Sequence, residues 1–309
     1  MDLVSIVIPT LNRSQCLRRA LASIQAQRLP GDVAIEVLII DNSADANQRA
    51  GLAPLCAADP RLRYVSEPVP GVATARNRGV AEAAGRWIAF LDDDEEAGTG
   101  WIADLVAVAR STAADAVFGP VVAQPENGAA MGALAPYFSR SIERADAADI
   151  TDMAAYLGTN NSFFDRARCL DGPMPFETSL NETGGEDSLL LRRLVMAGRR
   201  FAWAPAAVVT EWAPERRLTW AYVRKRKFLS GQIRVFVHRM IRPVSWAGIV
   251  KWMAVGAVQF IAAGALALLL RPVDRERSEQ LAATAAGGLG KVLWTPRFRP
   301  SMYGSGLVS

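Results

Sequence analysis

Three consecutive carboxylates, Asp92, Asp93 and Asp94, directly follow the apolar run 87–91. A strand that ends in clustered acids places negative charge where a hard divalent cation, and the phosphates that it neutralises, can bind. Consecutive acids are also typical of solvated turns, so the cluster alone leaves both interpretations open. The choice between them depends on the elements that must position these side chains.

The beginning of the chain has the pattern of an α/β fold. Residues 3–8 are an apolar strand that stops at Pro9, and residues 14–27 place apolar side chains on one helical face. A second apolar strand, 35–40, stops at Asp41. A strand, a helix and a strand in this order, with apolar strands, predict a parallel sheet that is buried on both faces.

Ligands of such sheets bind outside the carboxyl ends of the strands. We therefore expect Pro9 with Thr10, Asp41 with Asn42, and the acids 92–94 to converge on one crevice. The sequence lacks a G-x-G-x-x-G fingerprint after the first strand, and it lacks a P-loop. Their absence argues against a nicotinamide or flavin enzyme and favours a nucleotide site built from strand-end side chains and a metal.

Five short motifs follow one another along the first two thirds of the chain: SIVIPTLNR at 5–13, VLIIDNS at 37–43, ARNRG at 75–79, FLDDD at 90–94 and GGED at 184–187. In type and order they resemble the motifs of family 2 glycosyltransferases, over roughly residues 3–215. The closest similarity is to bacterial enzymes of exopolysaccharide and cell-surface glycan synthesis. The resemblance implies an α/β, Rossmann-like GT-A fold, which binds nucleoside diphosphate sugars.

The resemblance also implies roles for individual residues. Asp41 would accept a hydrogen bond from the nucleotide base, Asp92 would hold the ribose or sugar, and Arg76 would contact the donor. Asp94 would ligate the Mg²⁺ or Mn²⁺ that bridges the diphosphate, and Asp187 would be the general base. The remaining residues expected in the substrate and nucleotide pocket are Pro9, Thr10, Asn12, Arg13, Asn42, Asp93 and Glu186.

These residue types suit the chemistry of glycosyl transfer. A cation that neutralises the leaving diphosphate lowers the barrier, and a carboxylate takes the proton of the attacking hydroxyl. A single displacement of this kind inverts the anomeric centre. Asp187 precedes the helical stretch 188–197, which is closed by Gly198. Plain helix capping is the alternative role for Glu186 and Asp187, and a surface position is the alternative for Arg76.

Two departures from the usual family pattern affect the predicted substrate. The second strand ends in Asp41-Asn42-Ser43 instead of two acids, so uridine is favoured but other bases stay open. The glutamine-arginine-tryptophan motif of processive synthases is not visible, because residues 232–234 lack its spacing and its tryptophan. We therefore expect the transfer of one sugar per binding event.

Composition divides the chain into two regions. The 309 residues are 50% apolar and 21% charged, which is typical of a folded protein, and the net charge is +4. We predict a GT-A catalytic domain at 1–215 and a basic and apolar helical region at 216–309.

Three scattered cysteines and one histidine make zinc and disulfide sites poor candidates. A basic helix at 220–242 could bind nucleic acid, but the segment after it favours a membrane instead.

Residues 252–270 carry no formal charge, and their length is near the roughly 20 residues that cross a bilayer. This segment could span the membrane, lie in its interface or pack inside a soluble core. Lysine and arginine are more frequent before it than just after it, which places the catalytic domain on the cytoplasmic side of the inner membrane. A signal peptide is not expected, because Asp2 stands where a basic region would be.

The sequence thus predicts an inverting, metal-dependent glycosyltransferase. It would move a sugar from a nucleoside diphosphate sugar, with a UDP-sugar favoured, to a lipid-linked saccharide at the membrane, without a nucleic-acid partner. One alternative is a polyprenyl-phosphate sugar synthase, whose acceptor is the lipid phosphate itself. Another is a non-catalytic scaffold that binds nucleotide sugars within a membrane glycan assembly.

Overall fold

A computed structural model describes residues 1–43 and 46–298 of the chain. The elements are, in chain order, β1 (Asp2–Thr10), α1 (Ser14–Gln25), β2 (Val33–Asp41), α2 (Ala46–Ala58), β3 (Leu62–Ser66), α3 (Val72–Glu82), β4 (Trp87–Phe90), β5 (Glu95–Ala97), α4 (Trp101–Thr112), β6 (Ala116–Phe118), β7 (Val121–Pro125), α5 (Ala135–Phe138), β8 (Ser162–Asp165), α6 (Arg166–Cys169), α7 (Glu186–Met196), β9 (Phe201–Trp203), β10 (Val209–Ala213), α8 (Trp220–Met240), α9 (Trp246–Leu270) and α10 (Arg275–Val292).

Seven strands form the main sheet in the order β3-β2-β1-β4-β8-β6-β9. The parallel sheet expected from the sequence is confirmed for the pairs of β1 with β2, β2 with β3, and β1 with β4. The expectation is wrong for β8, which runs antiparallel to β4 and β6. Ser162, the first residue of β8, pairs with Phe90, the last of β4. The segment after β7 therefore re-enters the sheet from its carboxyl edge, and the strand has to run backwards.

Both faces of the main sheet are buried, as the apolar strands predict. On one face Ile6 and Ile8 of β1 pack with Leu17 and Leu21 of α1. On the other face Val7 belongs to a separate apolar cluster with residues of β2 and α3. Side chains of one strand alternate between the faces, so each strand supplies both layers of the core.

A second, three-stranded sheet has the order β5-β10-β7. Strand β5 begins at Glu95, immediately after the three acids, and pairs antiparallel with β10. The backbone N–H of Trp212 donates to the carbonyl of Asp94 at 2.9 Å. This sheet therefore fixes the loop 92–94 from the side opposite β1.

The three C-terminal helices pack together through glycine. A Cβ on Gly288 of α10 would lie 2.6 Å from the backbone nitrogen of Phe260 in α9. A Cβ on Gly290 would lie 2.0 Å from the carbonyl oxygen of Phe228 in α8. The backbones approach so closely that no side chain fits between them.

Helix α9 begins six residues before the predicted segment 252–270 and ends with it at Leu270. It is long and apolar enough to cross a membrane, with a mean hydropathy of 2.2 over 18 residues, of which 17% are buried. The soluble-core alternative does not match this exposure. Large apolar side chains are exposed along the helix, among them Val250, Val258, Ile261, Leu268 and Leu269.

Candidate active site

A cleft of about 1930 Å³ opens at the carboxyl ends of β1, β2 and β4. It brings together nearly all the side chains expected in the substrate, metal and catalytic sites: Pro9, Thr10, Asn12, Arg13, Asn42, Arg76, Asp92, Asp93, Asp94, Glu186 and Asp187. The three strand ends converge because parallel neighbours end at the same edge of a sheet. Helices α8, α9 and α10 also contribute residues to the lining of the cleft.

The first strand and the acid loop are joined by direct contacts. The Thr10 hydroxyl donates to Asp93 Oδ2 at 2.8 Å. Arg13 Nη1 lies 2.9 Å from Asp93 Oδ1 and 2.9 Å from Asp94 Oδ2. Burial raises the pKa of Asp93 to about 6, although Arg13 opposes the shift. We call Thr10, Arg13 and the acids 92–94 the strand-end wall of the cleft.

Arg76 lies in an ion-pair triad with buried Glu186 and partly exposed Asp92. Its Nη1 is 2.6 Å from Glu186 Oε1, and its Nη2 is 3.4 Å from Asp92 Oδ1. The side chain is 7% exposed, so the surface-arginine alternative does not match its position. Burial, and then the charge of Asp187, raise the pKa of Glu186 to about 7. The triad ties α3 and α7 to the acid loop.

The rest of the ARNRG motif explains how Arg76 is held in place. The Asn77 side chain donates to the carbonyl of Phe176 at 2.8 Å and accepts the Phe176 N–H at 2.9 Å. A Cβ on Gly79 would lie 2.3 Å from Val7 Cγ1, so α3 can approach β1 only with glycine at this position. Two of the five motif residues thus fix a helix so that a third reaches the cleft.

Asp94 faces two arginines and a second acid. Besides Arg13, Arg217 Nη1 lies 3.6 Å from Asp94 Oδ2. Burial, and then the charge of Asp94, raise the pKa of Glu211 to about 7. Arg217 and Glu211 were absent from the residues expected in the site, because they lie on either side of the predicted boundary at residue 215 and carry no local motif.

Asp187 occupies the first turn of α7 and lines the same cleft. The turn before it uses Gly184 and Gly185 at φ values of +70° and +95°, which favour glycine. A Cβ on Gly158 would lie 3.1 Å from Asp187 Oδ2, so the carboxylate sits close against that loop. The Ser188 N–H donates to Asp187 Oδ1 at 2.6 Å. Asp187 is therefore at a helix N-terminus and also in the cleft wall.

Two further residues at the cleft had little or no local signal in the sequence: Arg140, which lines it, and Glu95, which is buried behind it. Glu95 accepts the Asp92 N–H at 2.9 Å and the Asn160 side-chain amide at 3.0 Å. Arg140 donates to Asn160 Oδ1 at 3.0 Å and to the Asn160 carbonyl at 2.6 Å. Burial lowers the pKa of Arg140 to about 10, against the raising effect of nearby acids including Asp187. Asn160 belongs to the segment 159–164, which resembles an acceptor-side motif of the family. Arg140, in contrast, belongs to a segment without a recognisable sequence pattern.

The end of β2 is arranged differently from the expected base contact. The Asp41 carboxylate is fully buried and accepts hydrogen bonds from Tyr64 Oη at 2.6 Å and from the Ser43 N–H at 2.9 Å. The Asn42 amide donates to the carbonyls of Glu67 and Val69 and accepts the Gly71 N–H at 2.7 Å. An amide can donate to carbonyls and a carboxylate cannot, which explains why asparagine replaces the second acid here.

The acid loop fits a divalent cation that shares its coordination with a substrate. Within residues 1–43 and 46–298 there is no group of three His, Cys, Asp or Glu side chains arranged to hold a metal. Magnesium commonly uses one or two carboxylates and completes its shell with water and substrate phosphates. Asp92 and Asp94 both line the cleft, and burial and the charge of Asp94 raise the pKa of Asp92. A bound cation would favour the ionised form of these acids.

Solved structures support the same fold. A mannosyltransferase from Pyrobaculum calidifontis, PcManGT in complex with GDP-Man and Mn²⁺, superposes with a TM-score of 0.62 at 20% identity, over 94% of this chain and 87% of that one. The S. aureus protein TarS, as residues 1–349 with UDP, gives 0.54 at 17% identity, over 94% and 90%. The GT-A fold expected from the motifs is confirmed.

Sequence relatives point to glycan synthesis. The succinoglycan biosynthesis protein ExoM of Rhizobium meliloti (strain 1021) is 32% identical over 234 residues, which is 74% of this chain and 73% of the relative. A GalNAc(5)-diNAcBac-PP-undecaprenol beta-1,3-glucosyltransferase of Campylobacter jejuni is 29% identical over 128 residues, which is 41% of this chain and 40% of the relative. These relatives act in exopolysaccharide and lipid-linked glycan synthesis.

Two family models match the chain. The model of glycosyl transferase family 2 matches residues 5–167, and that of glycosyl transferase family group 2 matches residues 87–273. The first match contains the strand-end wall and Arg76, and the second adds Asp187 and much of the helical region. Motifs, fold and relatives agree, which favours an enzyme over a scaffold. The chain belongs to glycosyl transferase family 2 and is a glycosyltransferase of the GT-A type.

Proposed function

We propose that this enzyme transfers a sugar from a nucleoside diphosphate sugar, with a UDP-sugar favoured, to a lipid-linked saccharide in exopolysaccharide or cell-surface polysaccharide synthesis. The reaction is metal-dependent and inverts the anomeric centre. One observation carries the proposal: the acid loop and the Asp187 carboxylate line a single cleft from different elements. An inverting displacement needs a leaving-group site and a base on opposite sides of the reacting carbon.

In this proposal the strand-end wall receives the donor. Pro9, Asn12 and Asn42 line the nucleotide end of the cleft, and Asp41 supports the same end from behind. Arg13 holds Asp93 and Asp94 in a fixed orientation, so donor binding costs little rearrangement of the acids. Asp92, held by Arg76, faces the ribose or sugar.

Asp94, with Asp92 beside it, would hold Mg²⁺ or Mn²⁺ against the diphosphate. The cation, when bound, neutralises the negative charge that develops on the leaving group. Arg217 lies 3.6 Å from Asp94 and adds a second positive group at the same place. The Mn²⁺ in the structure of PcManGT with GDP-Man supports the use of a divalent metal.

Asp187 would take the proton of the acceptor hydroxyl. Its carboxylate is half-buried, and within the described part of the chain no arginine or lysine pairs with it within 4 Å. Glu186 is instead neutralised by Arg76, so two adjacent acids have different environments and different roles. A general base of this kind contributes about 10²–10⁴-fold to the rate.

The helical region would place the active site at the inner face of the cytoplasmic membrane. The exposed apolar side chains of α9 form a surface that water solvates poorly, and either a spanning or an interfacial position would cover it. The start of α8 at Trp220, directly after a short turn, supports a division into a catalytic part at 1–215 and a membrane-associated part at 216–309, of which residues 299–309 lie outside the described residues. The catalytic part would face the cytoplasm, where nucleotide sugars are made.

The test is nucleotide release from a panel of UDP-, GDP- and other sugar nucleotides by the detergent-solubilised chain with Mn²⁺. We expect turnover with one donor, loss of metal-dependent turnover in Asp94→Ala, and retention of donor binding with a rate about 10²–10⁴-fold lower in Asp187→Asn. Exposed Asp152→Asn, in a short 3-10 helix that lines the same cleft, is the control. Turnover that is unaffected by both site substitutions would contradict the proposal.

The polyprenyl-phosphate alternative makes a different product. A sugar attached directly to a lipid phosphate is released by mild acid, whereas a sugar–sugar bond is much more resistant. We expect the radiolabelled product of the favoured donor to survive mild acid as an extended saccharide. Release of the single labelled sugar would instead establish the lipid phosphate as the acceptor.

A further inference from the structure

Four cations of the helical region line the same cleft as the acid loop. They are Lys227 and Arg234 of α8, Lys251 of α9 and Lys291 of α10, which we call the cationic cluster. Within the residues that the structure describes, none of the four has a carboxylate within 4 Å. Elsewhere on α8, Arg224 does have such a partner, in Glu279 of α10.

Three of the four cations lie near one aromatic ring, and the fourth, Lys227, has its Nζ 5.1 Å from the centre of the Tyr137 ring. The centre of the Trp252 ring lies 5.1 Å from Arg234 Cζ, 5.7 Å from Lys251 Nζ and 5.9 Å from Lys291 Nζ. Arg234 Cζ also lies 4.5 Å from the ring centre of Tyr156, a side chain that is 63% exposed. Rings of this kind partly compensate a cation but do not neutralise it.

The positive groups repel one another. Burial, and then the charges of Arg226 and Arg234, lower the pKa of Lys227. Burial, and then the charges of Arg234 and Lys227, lower the pKa of Lys291. Such an arrangement is costly in the free protein, and a bound anion with several charges would relieve it.

The cluster lies where an apolar surface meets the cleft. Val255 of α9 lines the cleft one turn from Lys251, and the exposed Val258 and Ile261 continue the apolar surface along the same helix. A ligand that fits both features carries a compact, multiply charged anion on a hydrocarbon chain. Asp187 lines the same cleft, so a saccharide on that anion could extend towards the base.

We propose that the cationic cluster binds the diphosphate of a lipid diphosphate, the carrier end of the acceptor, with its hydrocarbon chain on the apolar surface of α9. This inference rests on the proposed function and specifies its acceptor side. The cluster holds the anion by charge-assisted hydrogen bonds from Lys227, Arg234 and Lys291. Without a ligand, the rings of Trp252 and Tyr137 partly compensate these cations.

The test is calorimetric binding of farnesyl diphosphate to the detergent-solubilised full chain in EDTA, which removes the metal that the donor site would need to bind a diphosphate. We expect Arg234→Gln and Lys227→Gln each to weaken binding about tenfold or more, the loss of roughly one charge-assisted hydrogen bond. Arg239→Gln is the matched control, because Arg239 is an exposed arginine on the same helix and lies outside the cleft. It should change the affinity less than about twofold, the size of a screened surface charge effect.

Comparison ligands identify the source of the anion. Farnesol tests the chain without the charge, inorganic pyrophosphate tests the charge without the chain, and phosphatidylglycerol vesicles test a general anionic membrane. We expect all three to bind more weakly than farnesyl diphosphate. Equal binding of pyrophosphate would overturn the lipid assignment, and equal effects of Arg239→Gln and Arg234→Gln would overturn the site.

Wild-type donor hydrolysis separates this inference from the proposed function. Hydrolysis together with farnesyl diphosphate binding that ignores Arg234→Gln and Lys227→Gln contradicts the cationic cluster alone. Absence of hydrolysis with every donor, with cluster-dependent farnesyl diphosphate binding intact, contradicts the proposed function and leaves the lipid diphosphate site standing.

Discussion

The strand-end wall and the cationic cluster both line one cleft, but their charges are balanced in different ways. Each acid of the wall has an arginine within 3.4 Å, and those arginines come from β1–α1 and α3. The cations of the cluster meet aromatic rings instead of acids. The wall is thus already organised by internal ion pairs, whereas the cluster gains its counter-charge only from a ligand. The difference indicates that the strand-end wall holds its acids in position before a ligand binds, whereas the cationic cluster serves to bind an anionic ligand.

The largest expected effect comes from removing Arg76, the arginine that balances Asp92 and Glu186. These acids would then lack a counter-charge, as the cations of the cluster do. Arg76→Met removes the partner of buried Glu186 and should lower the free energy of unfolding by about 3–5 kcal/mol at pH 8. Denaturant titration measures the loss. Adding Glu186→Gln should recover much of it, because the buried acid is then neutral and Asp92, the other partner of Arg76, is 35% exposed. A single variant as stable as the wild type would contradict the role of the triad.

Packing in the helical region gives the next largest effect. Gly288→Ala should destabilise α9 against α10 by about 1–3 kcal/mol, because its Cβ would meet the Phe260 backbone nitrogen at 2.6 Å. Gly287→Ala is the adjacent control, since its Cβ would meet its nearest atom at 3.5 Å. Thermal unfolding in detergent should separate the two variants. Similar melting temperatures would argue against the close approach of the helices.

The pH dependence of stability tests the compensation of Glu186. Its pKa of about 7 lies above the ordinary value of 4.5, so the folded state holds a proton that the unfolded chain releases. This stabilising contribution is complete below pH 4.5 and is lost as the pH rises through about 7. The free energy of unfolding should therefore fall, by at most about 1.4 kcal/mol per pH unit for one proton.

Glu186→Gln is the control for this pH effect, because glutamine keeps the shape and cannot titrate. Denaturant titrations at pH 5, 6, 7 and 8 should show a flatter dependence in the variant than in the wild type. Parallel curves for the two proteins would show that other groups carry the dependence.

The smallest expected effect concerns the cap of α3, the helix that carries Arg76. Asn181 Oδ1 accepts the N–H groups of Ala73 and Thr74 at 3.0 and 3.2 Å. Asn181→Ala should cost about 1 kcal/mol, the usual value of a lost cap. Asn181→Asp keeps the acceptor and should cost less in the same denaturant titration. An equal loss in both variants would mean that the amide donor to Thr74, not the cap, is what matters.

Local patterns were enough to predict much of this molecule. Continuous apolar runs predicted β1 and β2, an apolar helical face predicted α1, and the Gly198 stop predicted the end of α7, where φ is +73°. Clustered acids after an apolar strand predicted a crevice at the carboxyl edge of the sheet, where the cleft lies. In each case the physical cause lies within a few residues along the chain.

Features that depend on distant contacts were not predictable in the same way. The reversed direction of β8 depends on where a loop of about 36 residues re-enters the sheet. The hydrogen bonds of Asn42 to residues 67–71 and of Asn181 to α3 join segments 25 and more residues apart. Arg140 reaches the cleft from a segment without periodicity. Tertiary contacts, and not propensity, placed these side chains.

The turn before Asp187 touches the helical region directly. A Cβ on Gly185 would lie 3.0 Å from Ile233 of α8, and Leu180 and Leu189 share an apolar cluster with Val237. A fragment that ends at residue 215, made to obtain a soluble protein, would therefore lack the α8 residues that contact the turn before Asp187. Such a fragment would keep most of its nucleotide-binding residues but would lose the alignment of the general base Asp187. A nucleotide-binding assay alone would therefore not detect its loss of catalytic activity.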